Sequence, residues 1–392
     1  MSGTPEEWTD WDVLIKQCAT YDELTTFEKS KAQRALLFLK REFGEGFLKE
    51  SLEGLNRDNL QPEKVHPIMQ YFMNSAPWTR KWITRFAEEI ESLKGADGYS
   101  KLLIRLKDKK KFYEGVSVLE VAYKLFKAGF SIVFDPTTTD TRKVPDIKLK
   151  NRDSGEELFV EVSIQQESLT RTKAARNFWE FFGQFSPFLG LLYCGRILKI
   201  LSERHMAEII RELKDKIELS KKDCSFQELV IEGVIEVGIA PQTEKELLET
   251  WAKSRGLQIG RFSGPPVSTN EIPRTMQKME REQQQLPRNS PNLLIIQNNN
   301  LFKNFQEVKS EMDELEECLY ALPNLLAFIA IGYSECFWSV QDEVVMKDQH
   351  VAFKRLRPDA TLEQCMILLN RYCDFPLSPG TISKIYLAFN RY

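Results

Sequence analysis

The sequence predicts a mixed α/β fold preceded by a helical segment. Three observations carry that reading. Residues 1 to about 105 place apolar side chains at helical spacing. From Phe112 the texture changes to an amphipathic helix followed by short strands. Later strands, 292–297 (NLLIIQ) and 325–332 (LLAFIAIG), are apolar throughout, as in a sheet covered on both faces by helices. A chain of 392 residues is long enough for two domains. The expected division is a helical domain over 1–105 and an α/β domain over 106–392 that carries a helical insertion at about 170–225.

In the first segment, 31–47 carries Ala35, Leu36, Phe38, Leu39, Phe43 and Phe47 near helical spacing, and 78–93 does the same with Trp82, Ile83, Phe86 and Ile90. Pro67 and Pro77 punctuate it. It holds Trp8, Trp11, Trp78 and Trp82 but no chemistry, which suits a docking domain for a protein partner. Next comes a basic stretch, Lys101, Arg105, Lys107, Lys109, Lys110 and Lys111. It reads either as a solvated helix end or as a surface for phosphates. A helix over about 113–128 ends at Gly129 and leads into a strand at 130–135 (FSIVFD). A Thr-rich turn reaches Pro145-Asp146 and a second strand, 147–149. The turn 151–155 (NRDSG) then leads to a third strand, 158–165 (LFVEVSIQ). The insertion is basic in places, with Arg171, Lys173 and Arg176 near its start. Beyond it the pattern gives a strand at 229–240, a helix at 245–254, a Pro/Gly/Ser loop at 264–272 and a helix at 276–286. The strand 292–297, a helix at 305–320 and the strand 325–332 follow.

Composition narrows the function classes. Apolar residues at 42% and charged residues at 28% are ordinary for a globular chain and exclude a disordered, collagen-like or coiled-coil one. Lys+Arg 54 against Asp+Glu 57 gives a net charge of −3, which excludes a bulk-basic nucleic-acid coat and leaves room for a local basic face. Seven cysteines without a CxxC pair and only three histidines argue against a zinc cluster and for a reducing, cytoplasmic setting. The start, MSGTPEEWTDWD, lacks the basic and apolar regions of a signal peptide, and no apolar run is long enough to span a bilayer. His66, His205 and His350 are isolated, with no Ser or Cys neighbour that suggests a triad. Neither GxxxxGK[ST] nor GxGxxG occurs, so no phosphate-cradling loop is expected.

The residues that carry chemistry lie on the strand meander. Alternation puts Glu161, Ser163 and Gln165 on one face of the third strand together with Phe159, and Val160, Val162 and Ile164 on the other. If the hairpin pairs as its turn suggests, Asp146 and Glu161 lie at the same end of adjacent strands, with Lys148 and Lys150 on the face of Asp146. On the preceding helix, Glu120 shares a polar stripe with Ser117 and Lys124. Three carboxylates thus converge where helix and hairpin meet. Such a set suits a hard divalent cation, Mg²⁺ or Mn²⁺, which takes oxygen ligands and commonly one or two carboxylates plus phosphate oxygens. The alternatives are ordinary ones: a Pro-Asp turn for Asp146, an ion pair with Lys148 for Glu161 and a solvated helix face for Glu120.

In LEVAYKLFKAGF (119–130), VPDIKL (144–149) and LFVEVS (158–163) the chain resembles the PD-(D/E)XK nuclease superfamily, and QQLPRNSPNLLII (284–296) looks like the late helix and strand of some members. The resemblance covers roughly 112–335, interrupted by the insertion, and its motifs are short. It implies a mixed-sheet, restriction-endonuclease-like core flanked by helices. It implies also that Asp146 and Glu161 bind the metal, that Glu120 supports the metal or its waters, and that the activity is phosphodiester hydrolysis in DNA, with RNA second. The position that usually holds lysine is Ser163 here. Lys148 and Lys173 are the lysines expected to substitute, and Gln165 a weaker group to orient water. Lys107, Lys109, Lys110, Arg171 and Lys173 are the expected backbone contacts. Many members are dimers, so a homodimer is an expectation, and defence or repair is the setting by analogy. The alternative is a binding module of nuclease-like fold that does not cleave, for which the missing lysine speaks.

Overall fold

A computed structural model describes residues 9–52, 55–56, 59–60, 65–74, 76–138, 144–185, 190–266, 271–299, 308–335, 341–357 and 361–391. Trp8, Cys336, the tip of the Thr-rich turn (139–143), the middle of the 264–272 loop (267–270) and the expected helix start at 305–307 lie outside the described residues. The chain divides into two compact units, Met1–Gln165 with Glu271–Tyr392, and Gln166–Asn270.

The first unit opens with α1 (Trp11–Gln17) and α2 (Thr26–Phe43). Thr25 and Glu28 form a capping box at the start of α2, each satisfying the other's backbone N–H. Then come α3 (Phe47–Ser51), the two-residue strands β1 (Leu55–Asn56) and β2 (Asn59–Leu60), α4 (Met69–Phe72) and α5 (Pro77–Leu93), which starts on a proline whose missing N–H has no role there. Next are α6 (Tyr99–Lys107) and α7 (Phe112–Lys127). Gly129, at φ +98°, ends α7 and admits β3 (Phe130–Phe134), β4 (Ile147–Asn151) and β5 (Glu157–Ile164), an antiparallel meander.

The second unit holds α8 (Leu169–Phe182), β6 (Leu191–Ile197), α9 (Glu203–Asp223), β7 (Gln227–Ile231), β8 (Ile235–Pro241), α10 (Lys245–Ser254) and β9 (Phe262–Ser263). Its strands form a four-stranded sheet in the order β7-β8-β6-β9. This corrects the expected helical insertion at 170–225: the inserted body is an α/β unit and runs to Asn270. The expected single strand at 229–240 is a hairpin, because Gly233 takes φ +66° and Val234 N–H closes a turn on the Ile231 carbonyl. The run LLYCGRI between two helices is a strand, paired along its length with β8.

The chain returns to the first unit with α11 (Glu271–Glu282), β10 (Asn292–Gln297), α12 (Val308–Tyr320), β11 (Leu325–Glu335), β12 (Glu343–Lys347), β13 (His350–Leu356), β14 (Thr361–Leu369) and α13 (Pro379–Arg391). Its large sheet is mixed, in the order β12-β13-β14-β11-β10-β5-β4-β3, with β10 parallel to both β5 and β11. Both faces are covered, and that is why the central strands read as unbroken apolar runs. Leu293 and Ile295 of β10 face one core with α2, α5, α7 and α13, while Leu294 and Ile296 face the other with α11 and α12.

The boundary expected at residue 105 does not separate compact units. One continuous core runs from Trp11 through Phe43, Phe86 and Phe112 to Val160 and Phe389. Phe112 opens α7, and its ring lies 6.2 Å from Phe86 and 4.9 Å from the buried ring of His66. The apolar faces of the early helices are thus buried against the helix that backs the sheet, and a separate small domain would leave them wet.

Candidate functional site

The meander brings Asp146 and Glu161 together as the alternation requires. Ile147 pairs with Val160, so the preceding Asp146 and the following Glu161 stand at the same end of β4 and β5. Val162 belongs to the core beneath α7, whereas Phe159 packs on the opposite core beneath α11. Glu161, Ser163 and Gln165 therefore meet α11. The Glu161 side chain accepts a hydrogen bond from Gln285 Nε2 at 2.8 Å. Ser163 Oγ donates to Glu282 at 3.4 Å, and Gln165 is held by Glu271 at 3.0 Å and by Thr275 at 3.3 Å.

Both acids are buried, Asp146 at 5% and Glu161 at 6% exposure. Asp146 Oδ1 takes the Arg105 guanidinium at 2.5 Å, and Oδ2 accepts the Val162 N–H at 3.0 Å. Arg105 also bonds Asp135. Glu161 is less well provided for: its Oε2 is buried with no hydrogen-bond partner among the described residues. Burial first, and then the charges of Asp146 and Glu282, push its carboxyl up to about 10. Burial raises Asp146 too, against the opposing pull of Arg105.

From α11 and the short turn after it (Gln283–Gln285) come three groups that the motif reading did not single out. Glu282 lies between Arg281 at 2.6 Å and Lys278 at 3.5 Å, and accepts from Gln285 at 2.5 Å. Burial lowers the Lys278 ammonium, opposed by Glu282 and more weakly by Glu161. Lys278, Glu282 and Gln285 recur at the three- and four-residue steps of one helical face. That stripe was the available signal, but nothing local says which strand it covers.

Other expected residues lie elsewhere. Glu120 is buried in a separate cluster, where it accepts from Arg357 at 2.5 Å and from Tyr333 Oη at 2.7 Å. Burial would raise its carboxyl, but Arg357, Arg85 and Lys124 hold it down at about 2. The expected convergence of three carboxylates on Glu120, Asp146 and Glu161 is therefore corrected: Arg357 fixes Glu120, and Glu282 is the third acid acting on Glu161. Lys148 pairs with Glu157 at 2.7 Å, the residue before the strand register turns inward, and does not ion-pair with Glu161. Lys173 is exposed in the other unit, and Arg171 there pairs with Glu167 at 3.3 Å. Lys109 and Lys110 are exposed, while Lys107 lies over the Phe43 ring. His66 and His350 are structural, each accepting a backbone N–H through Nδ1.

Among the described residues no group of three His, Cys, Asp or Glu side chains is arranged to hold a metal ion. Nor is any described helix long and apolar enough to cross a membrane. No family model, curated protein or solved structure matches the chain.

Proposed function

We propose that the chain is a divalent-cation-dependent phosphodiesterase acting on nucleic acid, DNA before RNA, with Asp146 and Glu161 as its metal-binding acids. One observation carries the reading. Two carboxylates are buried side by side at the ends of adjacent strands, and one oxygen of Glu161 has no hydrogen-bond partner among the described residues. A buried carboxylate in that state is costly unless a cation joins it. The donor set is all oxygen, as Mg²⁺ and Mn²⁺ prefer, and two carboxylates suffice when the substrate phosphate supplies the rest. The order helix, three-stranded meander, late helix and parallel strand supports a restriction-endonuclease-like core, as the resemblance implies.

Asp146 and Glu161 would hold the ion. When bound, it neutralises the scissile phosphate and lowers the pKa of its water. Val162 N–H orients Asp146, and Gln285 orients Glu161. Lys278, partly desolvated beside Glu282, supplies the positive charge that Ser163 cannot, and Ser163 instead anchors Glu282. Arg105 clamps Asp146 and reduces the repulsion between the acids.

The test is cleavage of single- and double-stranded DNA and RNA in Mg²⁺, Mn²⁺ or EDTA. We expect metal-dependent cutting, reduced at least about 100-fold in Asp146→Asn and Glu161→Gln. The same ions should raise the melting temperature of the wild type and of neither variant. Absence of both effects would falsify the reading. A second reading, a nucleic-acid-binding module that does not cleave, is favoured by Ser163 in the lysine position and by the hold of Arg105 on Asp146. It gives binding without cutting in every metal.

A further inference from the structure

The early helices and the end of the large sheet line an open cavity of about 600 Å³ whose wall is dominated by cations. Arg80, Lys81 and Arg85 come from α5, Arg355 from β13 and Arg357 from just beyond it; Lys31 and Arg391 stand on α2 and α13. Glu28 and Glu88 are the carboxylates in the lining. Behind it, Arg357 meets Glu120, Arg355 meets Glu363 and Arg85 meets Glu89. Counting the buried Lys124 that also reaches Glu363, eight cations and five carboxylates stand here among the described residues, Arg85 and Arg357 having further interactions besides. The wall keeps a surplus of positive charge.

Arg80 makes the surplus specific. It is 2% exposed, yet among the described residues no carboxylate lies within ion-pair distance of it. Its two terminal nitrogens donate to the neutral carbonyls of Tyr71 and Phe72 and to Tyr21 Oη, at 3.0, 3.1 and 2.5 Å, its guanidinium lies 4.9 Å from the Tyr21 ring, and its Nε is buried without an acceptor among the described residues. A buried guanidinium normally has a counter-charge, because desolvating one without compensation costs several kcal/mol. Lys31 and Arg391, both exposed, likewise have no carboxylate within ion-pair distance among the described residues. Lys81 is shared with Glu28 at 3.3 Å. A concave site of this volume takes a small molecule, and guanidinium groups from several elements suit phosphate oxygens.

We propose that this cavity binds a small polyphosphorylated ligand, a molecule bearing two or three linked phosphate groups, with Arg80 as the buried anchor and Lys31 and Arg391 at the rim. The site is independent of the phosphodiesterase reading, since none of its lining residues touches Asp146 or Glu161.

The experiment is calorimetric titration and thermal melting of the full chain with tripolyphosphate, pyrophosphate, ATP and orthophosphate, at ionic strength matched with sodium chloride. We expect saturable one-to-one binding, tripolyphosphate tighter than orthophosphate by about tenfold or more, and loss of about tenfold in affinity in each of Lys31→Glu and Arg391→Glu. Both variants change exposed side chains, so folding is retained, and unaltered melting without ligand checks this. ATP binding tighter than tripolyphosphate assigns a nucleotide, and equal affinity assigns the phosphate chain alone; either supports the proposal. Absence of saturable binding, or equal binding by wild type and both rim variants, overturns it. Loss of oligonucleotide affinity in the rim variants with no polyphosphate binding also overturns it, and assigns the wall to a nucleic-acid backbone.

Discussion

Glu161→Gln should stabilise the metal-free protein, and by an amount that grows with pH. In the folded chain the carboxyl is pushed up to about 10 by burial and by Asp146 and Glu282. In the unfolded chain it titrates near 4.3. Below about pH 4 both states hold the proton and the site carries no penalty. Above that, the unfolded chain gains by ionising while the folded one does not, so stability falls by about 1.4 kcal/mol per pH unit until the folded group titrates. At pH 7 the accumulated loss is about 4 kcal/mol, and it is insensitive to the folded value so long as that value lies above 7. Gln keeps an acceptor for Gln285 Nε2, now 2.8 Å away, and removes the group that titrates. The assay is thermal melting of both proteins in EDTA from pH 4 to 9. The curves should coincide near pH 4 and separate by several degrees at pH 8, with the variant higher. A difference that stays constant with pH, or a variant that melts lower at pH 8, refutes the argument that Glu161 is a strained acid awaiting a cation.

Three further outcomes follow from the packing. Lys124→Met should destabilise by about 1–3 kcal/mol in denaturant melts, because Glu363 loses one of its two cationic partners and keeps Arg355. Gly98→Ala should cost at least about 2 kcal/mol: the residue has φ +77° and an added Cβ would lie 2.2 Å from the Phe134 carbonyl oxygen. Glu120→Gln should lower the melting temperature at neutral pH, opposite in sign to Glu161→Gln, by removing the charge that Arg357 faces at 2.5 Å.

The meander was legible because its determinants are local. A five-residue turn, in which Asp153 N–H bonds the Asn151 side chain, sets the register, and period-two alternation then fixes which face Glu161 takes. Gln165, Ser163 and Phe159 follow on that face without further information. The partners of Glu161 were not legible for the opposite reason. Gln285 is 124 positions away, beyond the whole inserted unit, and no periodicity says that α11 covers β5. Glu120 shows the same limit from the other side. Its helical stripe announces a polar neighbour, but Arg357, 237 positions later on a segment whose strand pattern was not read, decides which one. The tail from β12 to α13 was missed as a whole, although Ile385, Ala388 and Phe389 close the core against α7.

Two buried acidic clusters among the described residues are neutralised in different ways. Glu120, Glu89 and Glu363 lie among Arg85, Lys124, Arg355 and Arg357, and Glu120 and Glu363 each receive short charge-assisted bonds. That arrangement holds Glu120 as an anion, pairs Glu363 with Lys124 and Arg355 and fastens α7 to the end of the sheet, while burial raises the Glu89 carboxyl to about 7. Around Asp146 and Glu161 the same residue types are arranged to opposite effect. Arg105 is shared with Asp135, Lys278 and Arg281 serve Glu282, and one oxygen of Glu161 is left over. A fold selected for stability alone would place a hydrogen-bond donor there or replace the ionisable group, since either is accessible by a single substitution at a core position. Retained strain of this kind has a physical rationale when a bound cation relieves it, and the cluster that retains it is the one on the strand ends, at the mouth of the motif that suggested hydrolysis.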